Sequence, residues 1–279
     1  MKEISVTAIR NAVKDLSIKA NRELGQDTLD AFVRYKEKET SPVGRDILDQ
    51  LIENARIARE EGIPMCQDTG LSVIFVDLGQ EVHLTGGDLS QAINDGVRDG
   101  YQKGYLRKST CHPFTRKNIG DNTPAIIHLR LVPGDKVHLW VVPKGGGSEN
   151  MSRLAMLPPC KGLAGAKELV IQTVKDAGPN PCPPIILGVG IGGNFEVAPL
   201  LAKRALLRQV GERHPDPELA AIEEELLEKI NNLGWGPEGL GGRTTALDVH
   251  LEMMPCHIAS FPVAVNIQCH ANRHLEVTF

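Results

Sequence analysis

Apolar side chains along this chain recur at two periods, and the alternation between them lays out its elements. Residues 4–25 place Ile4, Ala8, Ile9, Ala12, Val13 and Leu16 at helical spacing, which predicts an N-terminal helix. A second helix is expected after Ser41-Pro42, carrying Ile47, Leu48, Leu51, Ile52, Ala55 and Ala58 and stopping at Gly62. Leu71–Leu78 is a β-rich run with Gln80–Leu84 as its expected partner strand, and Leu89–Gly104 returns to helical spacing. Ala125–Leu131 and Lys136–Pro143 read as a hairpin closed by Val132-Pro133-Gly134-Asp135, followed by a loop over 144–150 and a helix over Gly162–Ala177. Pro184–Val189 predicts a buried strand, then a glycine turn and a helix near Glu196–Glu212. Asp216-Pro217 starts another helix, whose buried face carries Leu219, Ile222, Leu226, Leu227, Ile230 and Leu233. Thr245–Leu251 and Phe261–Ile267 are late strands. With no internal repeat or low-complexity linker, the economical fold class is α/β (mixed α+β). It has a helix-rich N-terminus and central mixed sheets flanked by helices, with residues 1–279 as a single domain.

Composition narrows the function classes. The 279 residues are 41% apolar and 24% charged, with a net charge of −4, so no basic face invites nucleic acid. Aromatics at 4% argue against base-stacking platforms. No apolar run approaches the roughly 20 residues that cross a bilayer, and the N-terminus lacks a signal-peptide core. The expected compartment is the cytoplasm, where thiols stay reduced and six scattered cysteines point to metal, catalysis or core packing before disulfides.

The cysteines divide on local context. Cys66 sits in Met-Cys-Gln-Asp-Thr-Gly, Cys182 in Asn-Pro-Cys-Pro-Pro and Cys269 in Gln-Cys-His-Ala-Asn-Arg-His. A cysteine taken alone is usually an inert buried thiol, and Cys111, Cys160 and Cys256 fit that reading. The other three lie among prolines or acid–base side chains. Three thiolates from three loops can hold three irons of a four-iron cluster and leave the fourth for substrate. Zinc is the rival metal, but its most specific signal, a close Cys-x-x-Cys pair, is missing.

Polar residues near these loops suit proton transfer and anion binding. Asp68 and His257 could serve as an acid–base pair, although each also fits an ordinary turn or capping role. Arg107, Arg116, Arg243 and Arg273 could grip carboxylates through paired hydrogen bonds, or else be solvated surface arginines. Gly145-Gly146-Gly147-Ser148 could offer backbone amides to an anion but is no Gly-x-Ser-x-Gly nucleophile elbow. Gly188-Val-Gly190-Ile-Gly-Gly193 is a formal Gly-x-Gly-x-x-Gly between an expected strand and helix. Too little chain remains beyond it for a six-strand dinucleotide domain. An NAD-dependent oxidoreductase is therefore a distant alternative, as is a non-catalytic iron–sulfur protein.

Six segments in order carry a more specific resemblance. They are Met-Cys-Gln-Asp-Thr-Gly (65–70), Gly-Asp-Asn-Thr-Pro-Ala (120–125), Lys-Gly-Gly-Gly-Ser-Glu-Asn (144–150), Pro-Cys-Pro-Pro-Ile-Ile-Leu-Gly-Val-Gly-Ile-Gly-Gly (181–193), Gly-Gly-Arg-Thr-Thr-Ala (241–246) and Gln-Cys-His-Ala-Asn-Arg (268–273). Over essentially its whole length the chain resembles the α subunit of two-subunit class I fumarases and L-tartrate dehydratases, which are iron–sulfur hydro-lyases. The resemblance implies a 4Fe-4S cluster with one open iron, ligated by Cys66, Cys182 and Cys269. It implies substrate contacts at Gln67, Arg107, Gly146 and Gly147, with Asp68 and His257 as the catalytic pair. It further implies a β subunit on a separate chain, bringing a swivelling β-rich domain with cationic residues and a threonine, in an α2β2-type hetero-oligomer. The expected reaction is reversible hydration of fumarate to L-malate, with L-tartrate dehydration as the alternative small dicarboxylate chemistry.

Overall fold

The structure is a computed structural model and describes residues 2–279. In chain order its first half runs β1 (Lys2–Ser5), α1 (Val6–Ala20), α2 (Gln26–Lys38), α3 (Pro42–Glu61), β2 (Leu71–Gly79), β3 (Val82–Thr85), α4 (Leu89–Lys103), β4 (Ile126–Val132) and β5 (Val137–Lys144). Then come α5 (Gly146–Glu149), β6 (Arg153–Leu157), α6 (Gly162–Ala177), β7 (Ile185–Gly193), α7 (Val197–Ala205), α8 (Pro217–Asn231), β8 (Ala246–Cys256), β9 (Phe261–Gln268) and β10 (Leu275–Thr278). The architecture is α+β with mixed sheets, as the periodicity predicts. Among the described residues no helix is long and apolar enough to cross a membrane.

The chain forms two compact units. The first comprises the segment ending at Gly25, Asn54–Gly146 and Arg273–Phe279. Its sheet has the order β10-β5-β2-β4, with β2 parallel to β4 and antiparallel to β5. The expected hairpin is therefore corrected: β4 and β5 are joined by a tight turn but flank β2 instead of pairing. The reason lies in β2 itself, whose Val73, Ile74, Phe75 and Val76 are all buried, apolar on both faces, and so suited to a central position. The Gln80–Leu84 run is corrected too, since β3 pairs in parallel with β1 and not with β2. Ile74, Val76, Val137, Leu139 and Val141 face Ile9, Val13, Ile93, Val97 and Tyr101 of α1 and α4 to form the core of this unit. α1 starts at Val6, later than the apolar spacing suggests, because Ser5 caps it with Oγ accepting the Thr7 N–H at 3.2 Å.

The second unit comprises Gln26–Glu53 and Gly147–Asn272. Its sheet runs β6-β9-β7-β8, with β7 parallel to β8 and β9 antiparallel to β7 and β6. Ile185, Leu187, Val189 and Ile191 of β7 join Val170, Val174, Leu226 and Ile230 of α6 and α8 in one core. The alternate positions of β7 are Gly188 and Gly190, and here the expected glycine turn is overturned. The run is strand through Gly193, extended as far as Ile191 and turning to positive φ only at Gly192 and Gly193. A Cβ at Gly188 would strike the Ala202 carbonyl oxygen, and one at Gly190 the Ala198 oxygen and the Ala202 nitrogen. These glycines let α7 lie directly on the strand, and that excludes their use as a phosphate-binding turn.

Glu39, fully buried just past α2, fixes a loop of the second unit. It accepts N–H bonds from Thr40 and Thr244 at 2.8 Å and from Ser41 and Arg243 at 3.0 Å. Burial pushes this carboxyl up, but the hydrogen bonds from Ser41, Arg243 and Thr244 outweigh it and hold the group below its ordinary value of 4.5.

Candidate active site

In the first unit, the residues between α3 and β2 form a short loop held at both ends. Met65 donates its N–H to the Asn21 carbonyl and accepts from Asn54 Nδ2, both at 2.9 Å. Thr69 and Gly70 are fixed from below: the buried Tyr101 hydroxyl donates to their carbonyls at 2.6 and 3.0 Å, and Asn122 Nδ2 donates to Gly70 at 3.2 Å. Burial raises the Tyr101 hydroxyl above its ordinary value, so it remains a donor. Between these anchors Cys66 and Asp68 are half-buried and Gln67 is exposed.

Asp68 is the most constrained of the three. Its Oδ1 accepts the Gly70 N–H at 3.0 Å and its Oδ2 the Gly146 N–H at 2.8 Å. Its backbone carbonyl accepts from Arg273 Nη1 at 2.7 Å. One expected substrate-contacting glycine, Gly146, is thus joined to the Cys66 loop through Asp68. Arg107 is adjacent through its backbone, whose carbonyl accepts from Thr69 Oγ1 at 2.8 Å, and its side chain is exposed. The loop thus carries a thiol, an exposed amide and a fixed carboxylate in succession, with Arg107 adjoining through its backbone, residue types able to bind an anion and move a proton.

In the second unit, Cys182 and Cys269 lie on hydrogen-bonded segments. The His270 N–H donates to the Cys182 carbonyl at 3.3 Å. Glu238 ties the same region together, donating its N–H to the Pro183 carbonyl at 2.7 Å and setting its carboxylate 3.2 Å from His270 Nε2. Cys182 is exposed and has φ 56, a left-handed conformation that side chains adopt at a cost of about 1 kcal/mol or more. Gln268 Nε2 points at the Cys269 sulfur from 3.6 Å, so a hydrogen-bond donor faces that side chain. Gly147 belongs to this unit, with the Asn180 carbonyl near the place a Cβ would take.

Other candidates stand elsewhere. His257 is exposed in the β8–β9 turn, where its Nδ1 accepts the Ala259 N–H at 3.1 Å, leaving Nε2 to carry the ring proton. Arg116 and Arg243 are solvent-exposed, as surface arginines ordinarily are. Arg273 is the opposite case and is 2% exposed. Cys160 and Cys256 are exposed and Cys111 half-buried, so their reading as core thiols is corrected. Among the described residues no cysteine is in a disulfide, and no three His, Cys, Asp or Glu side chains are gathered as a metal-holding group. Sequence reasoning missed Asn21, Tyr101 and Asn122. Asn21 caps the C-terminus of α1, a common place for Asn, while Tyr101 hides in the apolar stripe of α4.

Comparison with known proteins follows the same residues. The profile of the family described as Fumarate hydratase (Fumerase) matches residues 10–278. A Methanocaldococcus jannaschii protein named "Putative L(+)-tartrate dehydratase subunit alpha" is 44% identical over 271 residues, covering 95% of each chain. The L(+)-tartrate dehydratase subunit alpha of Escherichia coli strain UTI89 is 32% identical over 288 residues, covering all of this chain and 95% of its own. The Shigella boydii protein of the same name is 31% identical over the same span.

Proposed function

The chain belongs to the fumarate hydratase family of hydro-lyases, and from that premise we propose that it is the α subunit of an iron–sulfur L(+)-tartrate dehydratase. The observation that carries the substrate is the name shared by relatives aligned over nearly their full lengths. It reverses the order expected from the motifs, in which fumarate hydration came first and tartrate second. The same names support a β subunit as partner.

We assign Cys66, Cys182 and Cys269 as the cluster ligands. The donor set fits: all are outside disulfides, each is at least partly exposed, and a hydrogen-bond donor faces Cys269. A bound 4Fe-4S cluster with one open iron would supply a Lewis acid to the substrate hydroxyl. The rest of the reaction falls to side chains. Dehydration removes a carbon-bound proton and a hydroxyl from the neighbouring carbon as water. Asp68 receives or returns the proton. Its two oxygens are aimed by backbone N–H groups and keep lone pairs for the task. His257 is its partner in proton transfer. Arg107 binds a substrate carboxylate, and Gln67 with the Gly147 amide steadies the charge that develops as the proton leaves, while Gly146 gives its N–H to Asp68 and adjoins the substrate through its backbone.

Anaerobic assay of this chain with its β partner on L-tartrate and L-malate tests the substrate. Turnover of tartrate well above malate is expected. Hydration of fumarate without tartrate turnover would return the protein to the fumarases, and inactivity on both would end the proposal.

A further inference from the structure

We infer that Arg273 is the positioning residue of the loop carrying Cys66, Gln67 and Asp68, an inference that rests on the reading of that loop as catalytic. Arg273 heads the fully buried side chains of the molecule and is 2% exposed. A guanidinium stays charged at any working pH, and burying one without a counter-charge is costly. Yet Arg273 makes no ion pair among the described residues. Its Nη1 donates to two neutral oxygens, the Asp68 carbonyl at 2.7 Å and Asn21 Oδ1 at 3.1 Å, and its buried Nε has no partner.

These two contacts make sense together. Asn21 is itself fully buried and oriented, with Nδ2 donating to the Ser17 carbonyl at 2.9 Å, so its Oδ1 is left to face the guanidinium. The Asn21 backbone carbonyl accepts the Met65 N–H. Asn21 and Arg273 therefore hold the start and the end of the same short span, Met65 to Asp68. A core contact would be served as well by an apolar side chain, without the buried charge. What an apolar side chain cannot do is hold the Asp68 carbonyl in one direction. That carbonyl sets the peptide plane from which the Asp68 side chain and the preceding Cys66-Gln67 backbone project. Gly145 supports the arrangement: a Cβ there would stand 3.5 Å from Arg273 Nη2 and 3.3 Å from Asp68 Oδ2, so the residue leaves the space between them open.

The test uses Arg273→Met, which keeps bulk and removes the donors, and Arg273→Lys, which keeps the charge and can reach one oxygen. In cluster-free protein, alkylation of Cys66, Cys182 and Cys269 is timed by peptide mass spectrometry, with deuterium uptake followed at residues 65–70 and in β7. For Arg273→Met we expect Cys66 to react about tenfold faster, with uptake rising at 65–70 while Cys182, Cys269 and β7 are unchanged. Arg273→Lys should fall between. In the reconstituted complex kcat should drop by about 100-fold with little change in KM. Unchanged Cys66 reactivity in a folded variant overturns the inference, as does uniform acceleration at all three cysteines, which would mean only a destabilised fold. If Arg273→Met does not fold, Arg273→Lys alone decides by the same selectivity. The cluster-free measurements do not depend on turnover, so failure of the wild-type complex to dehydrate tartrate would count against the proposed function and leave these outcomes interpretable.

Discussion

At the scale of single residues, Asp68 is the group to which the proposed mechanism gives the proton. Both of its oxygens accept backbone N–H bonds, from Gly70 and Gly146. Asparagine cannot reproduce this, because one of its two terminal atoms is a donor and would meet a donor. Asp68→Asn should therefore lower kcat by about 100- to 10,000-fold, the usual worth of an acid–base group, while cluster absorbance is retained. A variant turning over at the wild-type rate would remove Asp68 from the mechanism. The Cys66 loop stood out as a candidate because its sequence sets a thiol, an amide and a carboxylate side by side. Arg273 was not, since nothing in the letter R tells a buried guanidinium from a solvated one. Its burial follows from tertiary contacts with Asn21 and Asp68, residues 252 and 205 positions away in the chain.

At the scale of elements, long periodic segments were readable and short or doubly buried ones were not. α3, α4, α6 and α8 follow their apolar spacing closely. β10 escaped notice because four residues carry too little pattern, and α2 because its buried face reduces to Thr28, Ala31 and Phe32 among charged neighbours. The β4–β5 hairpin was a plausible error, as a turn joins the two strands and only tertiary pairing puts β2 between them. The glycine run of β7 is the most instructive case, because a phosphate-binding turn and a strand pressed against a helix both demand glycine. The two uses separate by substitution. Gly190→Ala should lose at least about 2 kcal/mol in chemical denaturation, since the new methyl meets backbone of α7 that has little freedom to shift. Gly147→Ala meets only the Asn180 oxygen, at 3.7 Å, and should stay within about 0.5 kcal/mol. Equal stabilities for the two variants would refute the packing role assigned to β7.

At the scale of the whole molecule, charge and hydrogen bonding predict how stability responds to acid. Glu39 is held below its ordinary 4.5 in the folded state, so the unfolded chain binds more protons as pH falls toward and through that value. Its contribution is complete above about 4.5 and fades as pH drops through the lower folded value. Glu39→Gln should destabilise the protein at neutral pH and flatten the acid side of its stability profile; a profile parallel to wild type would show that the carboxylate's charge is not what secures the 241–244 loop. The family assignment rests on the entire chain, and so does the account of function, which requires Cys66, Cys182 and Cys269 to act on one metal cofactor. The most direct measurement is iron and sulfide content, with the visible spectrum, after anaerobic reconstitution of the wild type and of Cys66→Ser, Cys182→Ser and Cys269→Ser. About four irons and four sulfides per chain with a brown chromophore, lost in each of the three variants, is the predicted result. A colourless, iron-free wild-type protein, or a chromophore indifferent to all three substitutions, would contradict it.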